Sequence, residues 1–148
     1  MWTQEKLIAF EKEVARRWEA GEISSPCHFS GGNEKQLIEI FKNISPDDWK
    51  LCTWRSHYAA LLSGIPPDEL MRQILAGKSM SINSVEHRFY SSAIAGGILP
   101  IAVGLGMGIK INRDICANCG HDWDQHDNKA EWERECLAIG CPTQCYDF

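Results

Sequence analysis

No stretch of this sequence is both long and apolar enough to promise a membrane span. The longest apolar run, Ala93–Ile109, has 17 residues and is broken up by five glycines and Pro100. A span through hydrocarbon needs about 20. No secretory leader is expected, because Glu5, Lys6, Glu11, Lys12, Glu13, Arg16 and Arg17 crowd the first twenty residues. Positive charge is in deficit. Fifteen Lys and Arg stand against twenty Asp and Glu, a net charge of −5, which argues against a nucleic-acid binder working through bulk charge. Internal repeats and low-complexity stretches are missing. What remains, 44% hydrophobic and 24% charged residues over 148 positions, is the composition of a globular chain rather than a disordered tail or a collagen-like fibre. A domain of this size buries roughly 68–70% of its unfolded surface, so a real core is available.

Charge and cysteine divide the chain in two. Residues 116–148 carry seven acidic and two basic side chains, whereas the preceding 115 are neutral. Five of the seven cysteines, Cys116, Cys119, Cys136, Cys141 and Cys145, lie in that acidic tail, and Cys27 and Cys52 stand alone. The expected units are a body, 1–113, and a Cys/His module, 114–148. A cytoplasmic setting is the default expectation, and it favours metal ligation over disulfides for clustered cysteines.

The body reads as mostly helical. Thr3 is placed to cap a helix to about Ala20, with Leu7, Phe10, Val14 and Trp18 at helical spacing. A second helix is expected from Asn33 to about Asn43, with Leu37, Ile40, Phe41 and Ile44 on one face. Trp49–Thr53 suits a short strand. Ser56–Ser63 suits a helix ended by Gly64, and Pro66–Pro67 opens another that ends at Gly77. Lys78–Ser92 reads as an irregular polar loop. Leu99–Lys110 reads as a helix whose Gly104, Gly106 and Gly108 call for close packing to offset about 1 kcal/mol each.

Three stretches in order, RRWEAGEISSPCHFSGGNE, ISPDDWKLCTWRSHYAALLSGIPPDELMRQILAGKSMS and FYSSAIAGGILPIAVGLGMGIK, carry a family likeness. Together they resemble the N-terminal part of the α subunit of thiamine-diphosphate-dependent 2-oxo acid dehydrogenases, over roughly residues 5–112. His28–Glu34 resembles that family's H-L-S-x-G-Q-E. Trp54-Arg55-Ser56-His57 resembles Y-R-x-H, and Gly77–Ser81 resembles G-G-S-M-H with Ser81 in place of His. Ile94–Gly104 resembles I-V-G-x-x-x-P-x-A-x-G. The resemblance implies an α/β fold, mostly helical over this length: the N-terminal half of a thiamine-diphosphate-binding domain. It also implies roles. Arg55 and His28 would hold the diphosphate, since a guanidinium forks onto such oxygens and an imidazole adds a directional donor. Trp54 stands where a Tyr is usual. Ala95, Gly96 and Gly97 would lie against the aminopyrimidine ring, with glycine permitting close approach. His57 would be the catalytic candidate, bordering the active-site mouth. The cofactor would take up the electron pair of a 2-oxo acid as carbon dioxide leaves.

The likeness is incomplete. The family continues into a Gly-Asp-Gly motif and a later Asn that hold Mg²⁺ through hard oxygen ligands, and this sequence contains no Gly-Asp-Gly. The implied partners are therefore a chain carrying the rest of the α-type domain, a β-type subunit that activates the pyrimidine, and a 2-oxo acid substrate. Nucleic acid and membrane are not expected.

The tail reads C-x2-C-x-H-x4-H-x9-C-x4-C-x3-C, from Cys116, Cys119, His121, His126, Cys136, Cys141 to Cys145. Paired thiolates at this spacing with nearby imidazoles suit tetrahedral Zn²⁺. A segment so poor in large apolar residues would draw much of its folding free energy from the metal. Two other readings stand beside a split α-type enzyme. One is a non-catalytic, zinc-stabilised assembly module; the other is a transketolase-like N-terminal subunit.

Overall fold

The computed structural model describes residues 2–114. Its contacts define one compact unit ending at Leu99 and a second beginning at Pro100. The proposed zinc ligands, Cys116 to Cys145, lie outside the described residues.

Helix α1 spans Gln4–Glu19. Thr3, in extended backbone, caps it by accepting the N–H of Lys6 at 3.4 Å, which satisfies one of the orphan donors of the first turn. Glu5 near its start and Arg16 and Arg17 near its end complement the helix dipole. Leu7, Glu11 and Val14, spaced by four and three, form its buried stripe. Helix α2 is Glu34–Phe41, α3 is His57–Leu62 and α4 is Pro67–Gln73. Helix α4 opens on a proline, whose fixed φ suits the first turn. It runs into a π turn over Ile74–Lys78 that Gly77 closes at φ +82°, a left-handed conformation that glycine adopts without a steric penalty.

A small sheet holds the unit together. Strands β1 (Lys50–Cys52), β2 (Asn83–Ser84) and β3 (Phe89–Ser91) lie in the order β1-β3-β2. β1 runs parallel to β3 with Cys52 opposite Ser91, and β2 runs antiparallel to β3 with Ser84 opposite Phe89. Phe89 on the central strand packs with Leu7, Val14, Tyr58, Leu61 and Ile74 in one core. Each such side chain, fully buried, contributes about 1.5–3 kcal/mol. Helices around a small mixed sheet accord with the expected α/β class. In the second unit, most of helix α5, Ile98–Asp114, follows.

Several expectations are corrected. Trp18, expected in the core, is 49% exposed, and the buried place on α1 goes to Glu11. On α2 it is Ile38, not Ile40, that packs on the core; Ile40 is exposed. The stretch 78–92 is not an irregular loop. Ser79, Ile82 and Phe89 are fully buried there, and β2 and β3 run through it. Strands of two and three residues carry no periodicity to read, and the pairing of β3 with β1 is a tertiary event. Among the described residues, a Cβ at Gly104, Gly106 or Gly108 would meet nothing within 4 Å, so the close packing expected for those glycines is not seen. No helix of the described residues is long and apolar enough to cross a membrane.

Candidate functional site

Parallel strands point their carboxyl ends the same way, and the crevice beyond those ends is where open α/β sheets receive ligands. Here β1 leads from Cys52 into Trp54 and Arg55, while β3 leads from Ser91 into the turn that carries Ala95–Gly97. The N–H of Ser92 donates to the carbonyl of Cys52 at 3.1 Å and ties the two exits together. Two of the three stretches singled out in the sequence therefore leave the sheet side by side.

The third, the loop bearing His28, is bound to the first. Arg55 donates through Nη1 to the carbonyl of Phe29 at 2.6 Å, and the Ser30 hydroxyl donates to the carbonyl of Arg55 at 3.3 Å. The rings of His28 and Trp54 face each other at 6.3 Å between centroids, tilted by 58°. His28 and Trp54 are half-buried, and Arg55 is exposed. A guanidinium has five N–H donors in a rigid fork. With one given to Phe29, the rest of the fork stays open to an anion among the described residues.

The glycine turn is built by its own backbone. Gly97 donates to the carbonyl of Ile94 and Leu99 to that of Gly96, both at 3.1 Å. Gly96 has φ +77°, which a side chain would strain. A Cβ at Gly97 would come within 3.2–3.3 Å of Ile94 and of the Ser92 hydroxyl. Ala95 and Gly96 are exposed, so their main chain is open to a ligand.

His57, expected at the mouth of the site, is fully buried at the start of α3. Its Nε2 is 3.0 Å from the Ser79 hydroxyl, and its ring stands edge-on to Phe29 at 6.3 Å. Its Nδ1 lies 3.3 Å from a Glu11 carboxylate oxygen, close enough for attraction but not aligned as a hydrogen bond. Glu34 accepts the N–H of Gly32 at 2.9 Å and the Tyr58 hydroxyl at 3.2 Å. The backbone N–H groups of Gly32 and of Glu34 itself hold the Glu34 carboxyl below the usual carboxylate range, aided by Tyr58. Burial, joined by the nearby Glu11 and Glu34 charges, pushes the Tyr58 phenol well above its ordinary value. Glu11 and Tyr58 were not singled out from the sequence, and Glu34 and Ser79 entered only as members of the stretches His28–Glu34 and Gly77–Ser81. The one readable signal was an acid, Glu11, set between Leu7 and Val14 on an apolar helix face.

Among the described residues no group of three His, Cys, Asp or Glu is placed to hold a metal ion.

No protein-family model matches the chain. Curated proteins do match, all of them α subunits of the pyruvate dehydrogenase E1 component. The one from Rickettsia bellii is 26% identical over 122 residues, covering 74% of this chain and 37% of that protein. The one from Porphyra purpurea is 29% identical over 106 residues, covering 64% and 30%. The mitochondrial protein of Dictyostelium discoideum is 23% identical over an alignment of 171 residues, covering 97% and 45%. The chain thus spans less than half the length of the curated relatives it matches. This distant homology supports the α-subunit family of thiamine-diphosphate-dependent 2-oxo acid dehydrogenases.

Proposed function

We propose that residues 2–99 form the diphosphate-side part of an α-type subunit in a thiamine-diphosphate-dependent 2-oxo acid dehydrogenase or decarboxylase. The supporting observation is how the three family stretches are tied to one another. Arg55 and Ser30 bond the His28 loop to the chain leaving β1, and the Ser92 N–H bonds the chain leaving β3 toward Ala95–Gly97 to the Cys52 carbonyl at the end of β1. The donor set fits the cofactor's polar end: an open guanidinium fork, a half-buried imidazole, and an exposed main-chain turn with no side chain at Gly96 and Gly97.

When bound, thiamine diphosphate supplies the electron sink for decarboxylation of a 2-oxo acid. Arg55 binds diphosphate oxygens through its open fork, and His28 adds a directional donor beside it. The Trp54 indole N–H serves in place of the hydroxyl that the family's Tyr offers. The backbone of Ala95, Gly96 and Gly97 receives the aminopyrimidine. His57, fully buried, acts from beneath by fixing Phe29 and Ser79 rather than by touching substrate. The Mg²⁺ ligands, Gly-Asp-Gly and Asn, come from outside these 148 residues, and a β-type subunit completes the site, in a cytoplasmic enzyme. The tail adds a structural Zn²⁺ held by four of Cys116, Cys119, His121, His126, Cys136, Cys141 and Cys145.

Calorimetric titration of the protein, purified with the chains that accompany it, tests this with thiamine diphosphate and Mg²⁺. A hydrogen bond to a charged group is worth about 1.5–3 kcal/mol. Arg55→Ala is therefore expected to weaken binding about 10–100-fold. Unchanged affinity would remove the reading's anchor.

A further inference from the structure

A carboxylate does not stay buried without partners that satisfy it. Glu11 is only 6% exposed, in the middle of α1 on the face that also buries Leu7 and Val14. Its partners lie far away in sequence. The Ser30 N–H reaches both of its oxygens, at 3.0 and 3.1 Å, and the Gly31 N–H approaches one at 3.5 Å. Glu34 takes the next N–H, that of Gly32. Two carboxylates, from α1 and α2, thus fix three consecutive amides of the loop that carries His28. Below, Glu11 faces Nδ1 of His57, whose Nε2 reaches Ser79 just beyond the π turn.

We propose that Glu11 is the positioning residue of the candidate cofactor site, a role that rests on the function proposed above. Its charge holds the Ser30–Gly31 backbone in one arrangement. That arrangement fixes the Phe29 carbonyl on which Arg55 is braced, the Ser30 hydroxyl that grips the Arg55 carbonyl, and the ring of His28 one residue earlier. The same carboxylate lies 3.3 Å from Nδ1 of His57 at the start of α3. The geometry gives the acid a reason to sit on an apolar helix face, where a leucine would otherwise pack and bring no acceptor to the loop.

The test uses the full isotopically labelled chain and the variants Glu11→Gln and Glu11→Ala. It reads amide exchange residue by residue and affinity for inorganic pyrophosphate with Mg²⁺. Gln keeps one acceptor oxygen and loses the charge. Exchange at Ser30 and Gly31 is expected to quicken about tenfold in Glu11→Gln and further in Glu11→Ala. Protection at Ala60 and Leu61 in the core should stay, and pyrophosphate binding should weaken in the same order. Unchanged exchange at Ser30 and Gly31 overturns the proposal. So does a loss of protection spread equally through α3, which would make Glu11 a residue of the fold alone, and so does quickened exchange with unaltered pyrophosphate affinity. If the unsubstituted chain, even when assembled with its accompanying chains, binds no pyrophosphate while Ser30 and Gly31 still loosen in both variants, the cofactor reading fails and the loop clamp stands.

Discussion

Phe89 offers the sharpest check on how the site is held in place. It is fully buried on the central strand of the three, opposite Lys50 on one side and Ser84 on the other. Replacing it with alanine removes a ring from the core and leaves a cavity that rigid neighbours fill only in part. Phe→Ala changes of this kind cost about 3–5 kcal/mol, against a total stability of about 5–15 kcal/mol for a domain. Val85, in the same hairpin, is 72% exposed, so Val85→Ala is expected to change stability by no more than about 0.5 kcal/mol. Urea unfolding followed by far-UV circular dichroism measures both. A midpoint for Phe89→Ala near that of the unsubstituted chain, or equal effects for the pair, would refute the claim that β3 is the strand on which the unit is built.

Burial pushes the Cys52 thiol up to about 11, so at pH 8 its thiolate fraction is about 10⁻³. Peptide mapping after iodoacetamide treatment of the folded chain should show Cys52 labelled far more slowly than an ordinary thiol, and rapid labelling would contradict its place at the end of β1. Arg16 and Arg17 hold the Glu13 carboxyl down at about 2. A depressed carboxylate stabilises the folded chain above its unfolded value near 4.5, and that contribution is lost as pH falls from there toward 2. Glu13→Gln should flatten the stability profile in that window, and an NMR titration placing Glu13 near 4.5 would refute the pairing. Metal analysis of the purified chain should find about one zinc per chain, and zinc content near zero would sink the proposed tail site.

Local signals in the sequence marked the helices well. Thr3, Gly64, the Pro66–Pro67 pair and Gly77 sit at or next to the observed helix ends, because caps and breakers act within one turn. The β2–β3 hairpin was not legible. Its strands are too short for alternation, and Ser79, Ser84 and Ser91, all buried, look like loop residues in the sequence. His28, Trp54, Arg55 and Ala95–Gly97 were singled out through family words rather than through spacing; the chain leaves β1 into Trp54–Arg55 and β3 toward Ala95–Gly97, and the His28 loop is bonded to Arg55. Glu11 was hidden for the opposite reason. Its partners are backbone amides, which leave no mark on the sequence. The depth of His57 was hidden likewise, since burial arises from α1, α3 and the Phe29 loop closing together.

Chemical-shift mapping of the labelled chain with thiamine diphosphate and Mg²⁺ addresses the central claim most directly. The expected response is confined to His28, Arg55 and the amides of Ala95–Gly97, beyond the carboxyl ends of β1 and β3. Lys50 and Arg88, two cations at the other ends of those same strands, should stay still. Shifts that gather at Lys50 and Arg88, or that avoid Arg55 altogether, would contradict the account.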